Sequence, residues 1–259
     1  MKKILSVLMP LVLISFCTVG WAEEAAINVG LIAELTGDMP AVGASCKNAA
    51  EMAVKEINDA GGLQVGGKKA KLLLIVEDNA GKADQSAAAA QKLITQDEVI
   101  AIIGPNASRY AIPAAEVAES SGTILITPWS TNPKATLDTI TNQPKKYIFR
   151  AAFIDPFQGK VLAKFAREEM KAVTAAALYD VASDYNKGIA EVFKERFEKL
   201  GGKVVAFETY TTNDKDFSAQ LTKIKSAHPD VIFLPNYYSE VPLQVQQAHR
   251  LGITAPFLG

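Results

Sequence analysis

Val99-Ile100-Ala101-Ile102-Ile103-Gly104-Pro105-Asn106-Ala107-Ser108 sets an aliphatic run against a turn that opens a helix. Ile124-Leu125-Ile126-Thr127-Pro128-Trp129-Ser130-Thr131-Asn132-Pro133 repeats the pattern. In each, a short buried-strand signal ends in small and hydroxyl-bearing residues, and open α/β sheets hold their ligands at such carboxyl ends. Together the two loops offer hydroxyls and free backbone N–H groups. A carboxylate suits them, because the helix starting at Ser108 has unpaired first-turn amides carrying partial positive charge.

Working outward, strand and helix signals alternate with short punctuated connections, which argues for parallel sheets layered by helices. Ile27 to Ala33 is expected as a buried strand, followed by a helix that Ser45 caps and Gly61-Gly62 stop. A strand from Leu72 to Val76, an alanine-rich helix from Lys82 to Gln96, and the helix from Ser108 to Ser121 complete a first lobe, residues 23–148. Phe149 to Phe153 is expected to cross into a second lobe, residues 149–259. That lobe repeats the alternation, with helices at 156–170, 185–200, 216–227 and 240–251 and strands at 175–179, 204–210 and 231–234. Two lobes of similar make-up suggest a cleft between them.

Residues 1–22 have the charge, apolar core and small-residue ending of a secretory signal, with Lys2 and Lys3 ahead of an uncharged stretch ending Val19-Gly20-Trp21-Ala22. A retained anchor is the alternative, and Pro10, Gly20 and Ala22 favour cleavage instead. Cys17 would be a lipid-attachment residue only against the pattern, since Phe16 stands where such sites need a small side chain. Cleavage would leave 25 basic against 28 acidic residues, a net charge of −3, which disfavours nucleic acid as a partner. Cys46 would then be the lone thiol, expected in the first turn of its helix and in the core. His228 and His249 are far apart without ligands at metal spacing, so no metal or other cofactor is expected. No nucleophile elbow, phosphate loop or dinucleotide fingerprint is present, and Glu77-Asp78 are expected merely to solvate a strand end, so an enzyme is not expected.

The mature chain from Ile27 to Gly259 resembles the extracytoplasmic leucine/isoleucine/valine-binding proteins of ABC transporters. The resemblance rests on Gly30 to Gly37, Ala60-Gly61-Gly62, Glu77-Asp78, Gly104 to Pro113 and Thr127 to Pro133. It continues through Asp184-Tyr185-Asn186-Lys187-Gly188, Asp214 to Ser218 and Asn236-Tyr237-Tyr238. It implies two Rossmann-like lobes of the type I periplasmic-binding fold, joined by three crossing strands and closing on ligand, with the C-terminal part missing. The acid that pairs with the ligand ammonium in the family would lie just beyond Gly259.

The same resemblance implies roles for particular residues. Ser108 would hold the ligand carboxylate with its hydroxyl and amide; an ordinary helix cap is the alternative. Thr131 would donate to the same carboxylate and the Ser130 carbonyl would accept from the ammonium, where a plain turn before Pro133 is the alternative. Tyr185 and Tyr237 would close over the ligand, or pack the core. Trp129 stands where the family places something smaller and is expected as either a pocket wall or an exterior lid. Val42 stands where the family often has an aromatic residue, which implies a roomier or differently shaped wall. Arg109 is expected at the solvated surface, with recognition of a second acidic or aromatic group on the ligand, together with Tyr110, as the alternative. The implied function is a periplasmic solute-binding protein of an ABC importer. It would capture an amino acid or similar small carboxylate and deliver it to the inner-membrane permease. A sensory module of a receptor system is the alternative.

Overall fold

The computed structural model describes residues 25–259, so the leader and Cys17 lie outside the described residues. The first lobe runs β1 (Ala25–Ala33), α1 (Pro40–Asp59), β2 (Leu63–Val65), β3 (Lys68–Asp78), α2 (Ala83–Thr95), β4 (Ala101–Ile103), α3 (Ser108–Ser121), β5 (Ile124–Thr127) and β6 (Ile148–Arg150). The sheet order is β2-β3-β1-β4-β5-β6, parallel apart from the β2–β3 hairpin. From β1 the chain builds outward on one side through β3, then returns to place β4 on the other. The crevice at that reversal lies between the loops that follow β1 and β4.

Two expectations need correcting here. Ser45 does not cap α1; the helix begins at Pro40, after Met39, and Ser45 and Cys46 sit one turn inside it. Proline suits that first turn because its missing N–H would be unpaired there anyway. The second correction is β2, which the sequence reading passed over. Gly66 and Gly67, at φ of 56° and 80°, turn this short strand back onto β3.

Aliphatic side chains on alternate positions sort onto the two faces of this sheet. Ile32, Ile102 and Leu125 are fully buried beneath α2 and α3, packed against Leu93 of α2. Leu31, Ala33 and Ala50 are packed on the α1 face. Beyond α1, that face carries Ile124, Ile126 and Phe149 in the open, each more than 40% exposed.

β6 pairs with β5, so the first sheet continues through Arg150 before residues 151–154 lead away. The second lobe runs α4 (Asp155–Glu168), β7 (Thr174–Asp180), α5 (Asp184–Lys199), β8 (Lys203–Tyr210), α6 (Ser218–Ser226), β9 (Val231–Phe233), α7 (Val241–Arg250) and β10 (Phe257–Leu258). Its parallel sheet has the order β10-β9-β7-β8. β7 is buried on both faces from Ala175 to Asp180, as central parallel strands are. Phe193 stacks on Phe233 with centroids 4.2 Å apart and on Phe197 at 5.5 Å, filling the α4/α5 side. Phe217, Leu221, Ile224 and Ile232 fill the other. Each such ring buried stabilises the fold by about 2 to 3 kcal/mol. Here too the order reverses at β7, which aims the loops after β7 and β9 at the first lobe.

Candidate functional site

The two hydroxyl-bearing loops are locked together by hydrogen bonds within the chain. Thr127 at the end of β5 donates its hydroxyl to the Pro105 carbonyl at 2.7 Å and accepts from the Ser130 N–H at 3.1 Å. The Ser108 hydroxyl oxygen accepts from the Ser130 hydroxyl at 2.9 Å and from the Asn132 N–H at 3.2 Å. With both acceptor positions taken, the remaining proton of Ser108 is left to donate. Ser108 occupies the first position inside α3, and the residue before it, Ala107, supplies no side-chain cap. The alternative of an ordinary cap is therefore absent at Ser108.

What holds the loops was only partly visible in sequence. Glu34, fully buried at the end of β1, accepts from the backbone N–H groups of Asn106 at 3.0 Å and Ala107 at 3.3 Å, and from the Asn106 amide. Arg150 at the end of β6 donates to the carbonyls of Ser130 at 3.1 Å and Asn132 at 3.0 Å. The Ser130 carbonyl expected to receive an ammonium is thus already engaged by a guanidinium. Asp78 is more than strand-end solvation: it accepts from the N–H groups of Leu35 at 3.0 Å, Thr36 at 3.2 Å and Ala80 at 2.8 Å. These bonds shape the loop that follows β1.

A cavity of about 340 Å³ opens between the lobes, small but within the range of small-molecule sites. Ser108, Trp129 and Thr131 line it from the first lobe, Tyr185 and Tyr237 from the second, with Val42, Phe153, Gln158, Asn236 and Tyr238 around them. Of the six site residues expected from sequence, Ser130 alone lies beneath this lining, at 1% exposure. Tyr185 begins α5 after β7, and Tyr237 follows β9, so both come from the second switch point. Their rings stack at 5.4 Å, and Trp129 meets Tyr237 across the cleft at 5.8 Å. Trp129 is both wall and rim, since its ring lines the cavity while 41% of the residue stays exposed. Burial pushes the phenols of Tyr185 and Tyr237 upward, so both remain neutral donors at ordinary pH.

Charged groups gather around the cavity. Asp155 at the start of α4 is 1% exposed, and neither carboxylate oxygen has a well-formed hydrogen bond. Burial pushes its carboxyl up to about 6, with Thr131, Arg150 and Asn132 opposing. Arg109 overturns its expected place at the solvated surface. Its side chain is only 10% exposed and pairs with Asp38 of the first lobe and Asp180 of the second. Cys46 is half-buried: it packs against the Leu31, Ala33 and Ala50 cluster on one side and lines a groove with Val42, Trp129 and Tyr238 on the other, so only part of the expected core placement is met. Glu34, Arg109, Arg150 and Asp155 carried no local sequence signal, because their hydrogen-bond and ion-pair partners lie in other loops of the chain, from 14 residues away for Arg150 and Thr136 to 103 for Arg109 and Thr212.

The sequence and fold were compared with known proteins. The family described as Periplasmic binding protein matches residues 26–259. A Brucella melitensis protein named Leu/Ile/Val-binding protein homolog 3 is 35% identical over 93% of this chain and 63% of its own length. The crystal structure of the branched-chain amino acid transporter substrate binding protein LivJ from Streptococcus pneumoniae, in complex with isoleucine, superposes with a TM-score of 0.79. It is 35% identical and is matched over 90% of this chain and 63% of its own. An ABC-transporter solute binding protein from Rhodopseudomonas palustris, in complex with 3,4-dihydroxy benzoic acid, superposes with a TM-score of 0.75. It is 25% identical over 90% of this chain and 60% of its own. The chain thus spans less than two thirds of the length of the relatives it matches.

Proposed function

Because the chain belongs to the periplasmic binding protein family, we propose that it captures a small carboxylate, an amino acid first of all, in the cleft between its lobes. It would hand that solute to the membrane permease of an ABC importer. One observation carries the reading: the Ser108 hydroxyl, with both acceptor positions filled by Ser130 and Asn132, faces the cavity with a proton to give. Beside it, the first turn of α3 adds unpaired amides and partial positive charge. Thr131 offers a second hydroxyl from the other loop. Tyr185 and Tyr237 would fold over the guest, and contacts made by both lobes at once would favour the closed state. In this reading the Thr131 and Ser108 donors fix the head group, while Val42, Trp129 and Phe153 receive the side chain.

The ring-rich wall also suits an aromatic carboxylate, and the R. palustris relative is named for such a ligand. Calorimetric titration with leucine, isoleucine, valine and 3,4-dihydroxybenzoate separates these guests. Ser108→Ala should weaken the best of them about ten- to a hundredfold, the value of a charge-assisted hydrogen bond of about 1.5 to 3 kcal/mol. Unchanged affinity in both Ser108→Ala and Thr131→Ala would remove the site assignment.

A further inference from the structure

Arg109 stands next in sequence to Ser108 yet does not line the cavity. Its guanidinium lies behind Tyr237, 5.4 Å from the ring centroid, and 5.0 Å from that of Tyr110. From the first lobe Asp38 receives one end of the fork, and Asp38 is itself held by the Tyr110 hydroxyl at 3.0 Å. From the second lobe Thr212 accepts the other end at 3.1 Å and Asp180 stands at 3.4 Å. Thr212 also donates to Asp180, so the second-lobe receptor is a built pair. The three charged side chains are each 10% exposed or less. Glu240, 4% exposed with one carboxylate oxygen lacking a hydrogen-bond partner, borders the same cluster.

We propose that Arg109 is an interlobe latch: a first-lobe guanidinium that holds Asp38 and Asp180 together across the cleft, fixes Tyr237 from behind, and keeps the lobes closed without touching the solute. The charge count gives the latch its sign. With Arg109 in place, one cation is shared by acids from both lobes and closure is attractive. Without it, Asp38 and Asp180 face each other in a poorly solvated crevice and closure is repulsive. Arg109 is thus a positioning residue that acts through Tyr237 and through lobe spacing. The fork geometry matters as well, since a lysine can reach one acceptor group well but not two at the ends of a planar fork.

The consequence for binding rests on the cleft-capture reading above, but the latch itself can be measured without solute. Lys82 and Lys215 are exposed on opposite sides of the crevice beside the cluster. Spin labels at Lys82→Cys and Lys215→Cys, with Cys46→Ser to leave no other thiol in the mature chain, report lobe spacing by pulsed electron resonance. Arg109→Gln should lengthen the mean distance by several ångströms in solute-free protein, and Arg109→Lys by less. Asp180→Asn should lengthen it in the parent chain but shorten it in the Arg109→Gln background. That reversal of sign is one that a merely structural role would not produce. With leucine as the probe, Arg109→Gln should weaken binding about tenfold or more. Distance distributions for Arg109→Gln and Asp180→Asn that superimpose on the parent would overturn the latch, and if Arg109→Gln fails to fold, the Asp180→Asn and Arg109→Lys distances decide. Failure of every variant, parent included, to bind leucine or 3,4-dihydroxybenzoate would instead count against the capture reading and leave the distance result standing.

Discussion

At the scale of single residues, two buried acids behave differently because one is satisfied and the other is not. Glu34 receives two backbone N–H groups and a side-chain amide, so removing its carboxylate strands donors that water cannot reach. Glu34→Ala should cost about 1 to 3 kcal/mol of stability and loosen the loop that presents Ser108. Urea denaturation and ligand titration of the same variant would check both effects together. Asp155, by contrast, lacks well-formed bonds, and burial pushes its carboxyl up to about 6. In the unfolded chain an aspartate titrates near about 3.9, so between roughly pH 4 and 6 the folded state keeps a proton the unfolded state has lost. This group's contribution is therefore fully present below about pH 4 and is lost as pH rises past about 6, a change on the order of 3 kcal/mol. Asp155→Asn should flatten that slope, so the stability gap between variant and parent should shift in the variant's favour from pH 4.5 to 7.5. Parallel stability curves for the two proteins would show that Asp155 titrates normally. Neither role was legible from sequence, where Glu34 and Asp155 are single acids in loops and the residues that surround them come from separate elements. Arg109 misled for the same reason: its acceptors Asp38, Thr212 and Asp180 lie far along the chain, in both lobes. The loops that carry Ser108 and Thr131 were legible because each follows a strand that its own neighbours announce, whereas Tyr185 and Tyr237 were expected only from the family resemblance.

Elements were legible where apolar period and punctuation agreed. α3 and β5 have the bounds expected from Ser108 to Ser121 and Ile124 to Thr127, since a glycine in left-handed conformation, Gly122, separates them. α1 was misplaced at its start because Ser45 offered a side-chain cap, while the true start depends on Pro40 and on the loop that Asp78 organises. β2 was missed because its three residues are all exposed and show no alternation. The β4–α3 connection depends on Gly104, whose φ is 85° and whose added Cβ would come 2.1 Å from the Ile32 carbonyl oxygen. Backbone strain and this clash act together, so Gly104→Ala should destabilise the first lobe by about 2 kcal/mol or more. It should also displace the first turn of α3 and with it the Ser108 donor. Thermal unfolding and leucine titration of Gly104→Ala measure the two. A melting temperature within a degree of the parent would mean that β1 can yield at this point.

Over the whole molecule, two surfaces are apolar in a way that packing within the described residues does not explain. On the first sheet, Ile124, Ile126 and Phe149 form a strip beside α1. On α4, Phe157, Val161 and Phe165 recur at four-residue spacing, exposed at 61%, 48% and 47%, and therefore lie along one open stripe. Exposed single hydrophobic residues are ordinary, but contiguous strips of this kind are adhesive in water. The chain should therefore self-associate at micromolar concentration and bind a hydrophobic dye while folded. Replacing Phe157 and Phe165 by glutamate leaves the α4/α5 packing intact, because both rings point away from the core formed by Ala163, Ala166, Ile189 and Phe193. The double variant should then match the parent's stability to within about 1 kcal/mol. Its sedimentation coefficient should no longer rise with concentration, and its dye signal should fall. A parent chain that sediments as a monomer throughout and leaves the dye dark would show that these strips are shielded in solution. The interlobe cavity differs from these strips, since Trp129 and Tyr185 pack on Tyr237 and Arg109 backs that ring, so leucine should displace little of the dye even where self-association is strong.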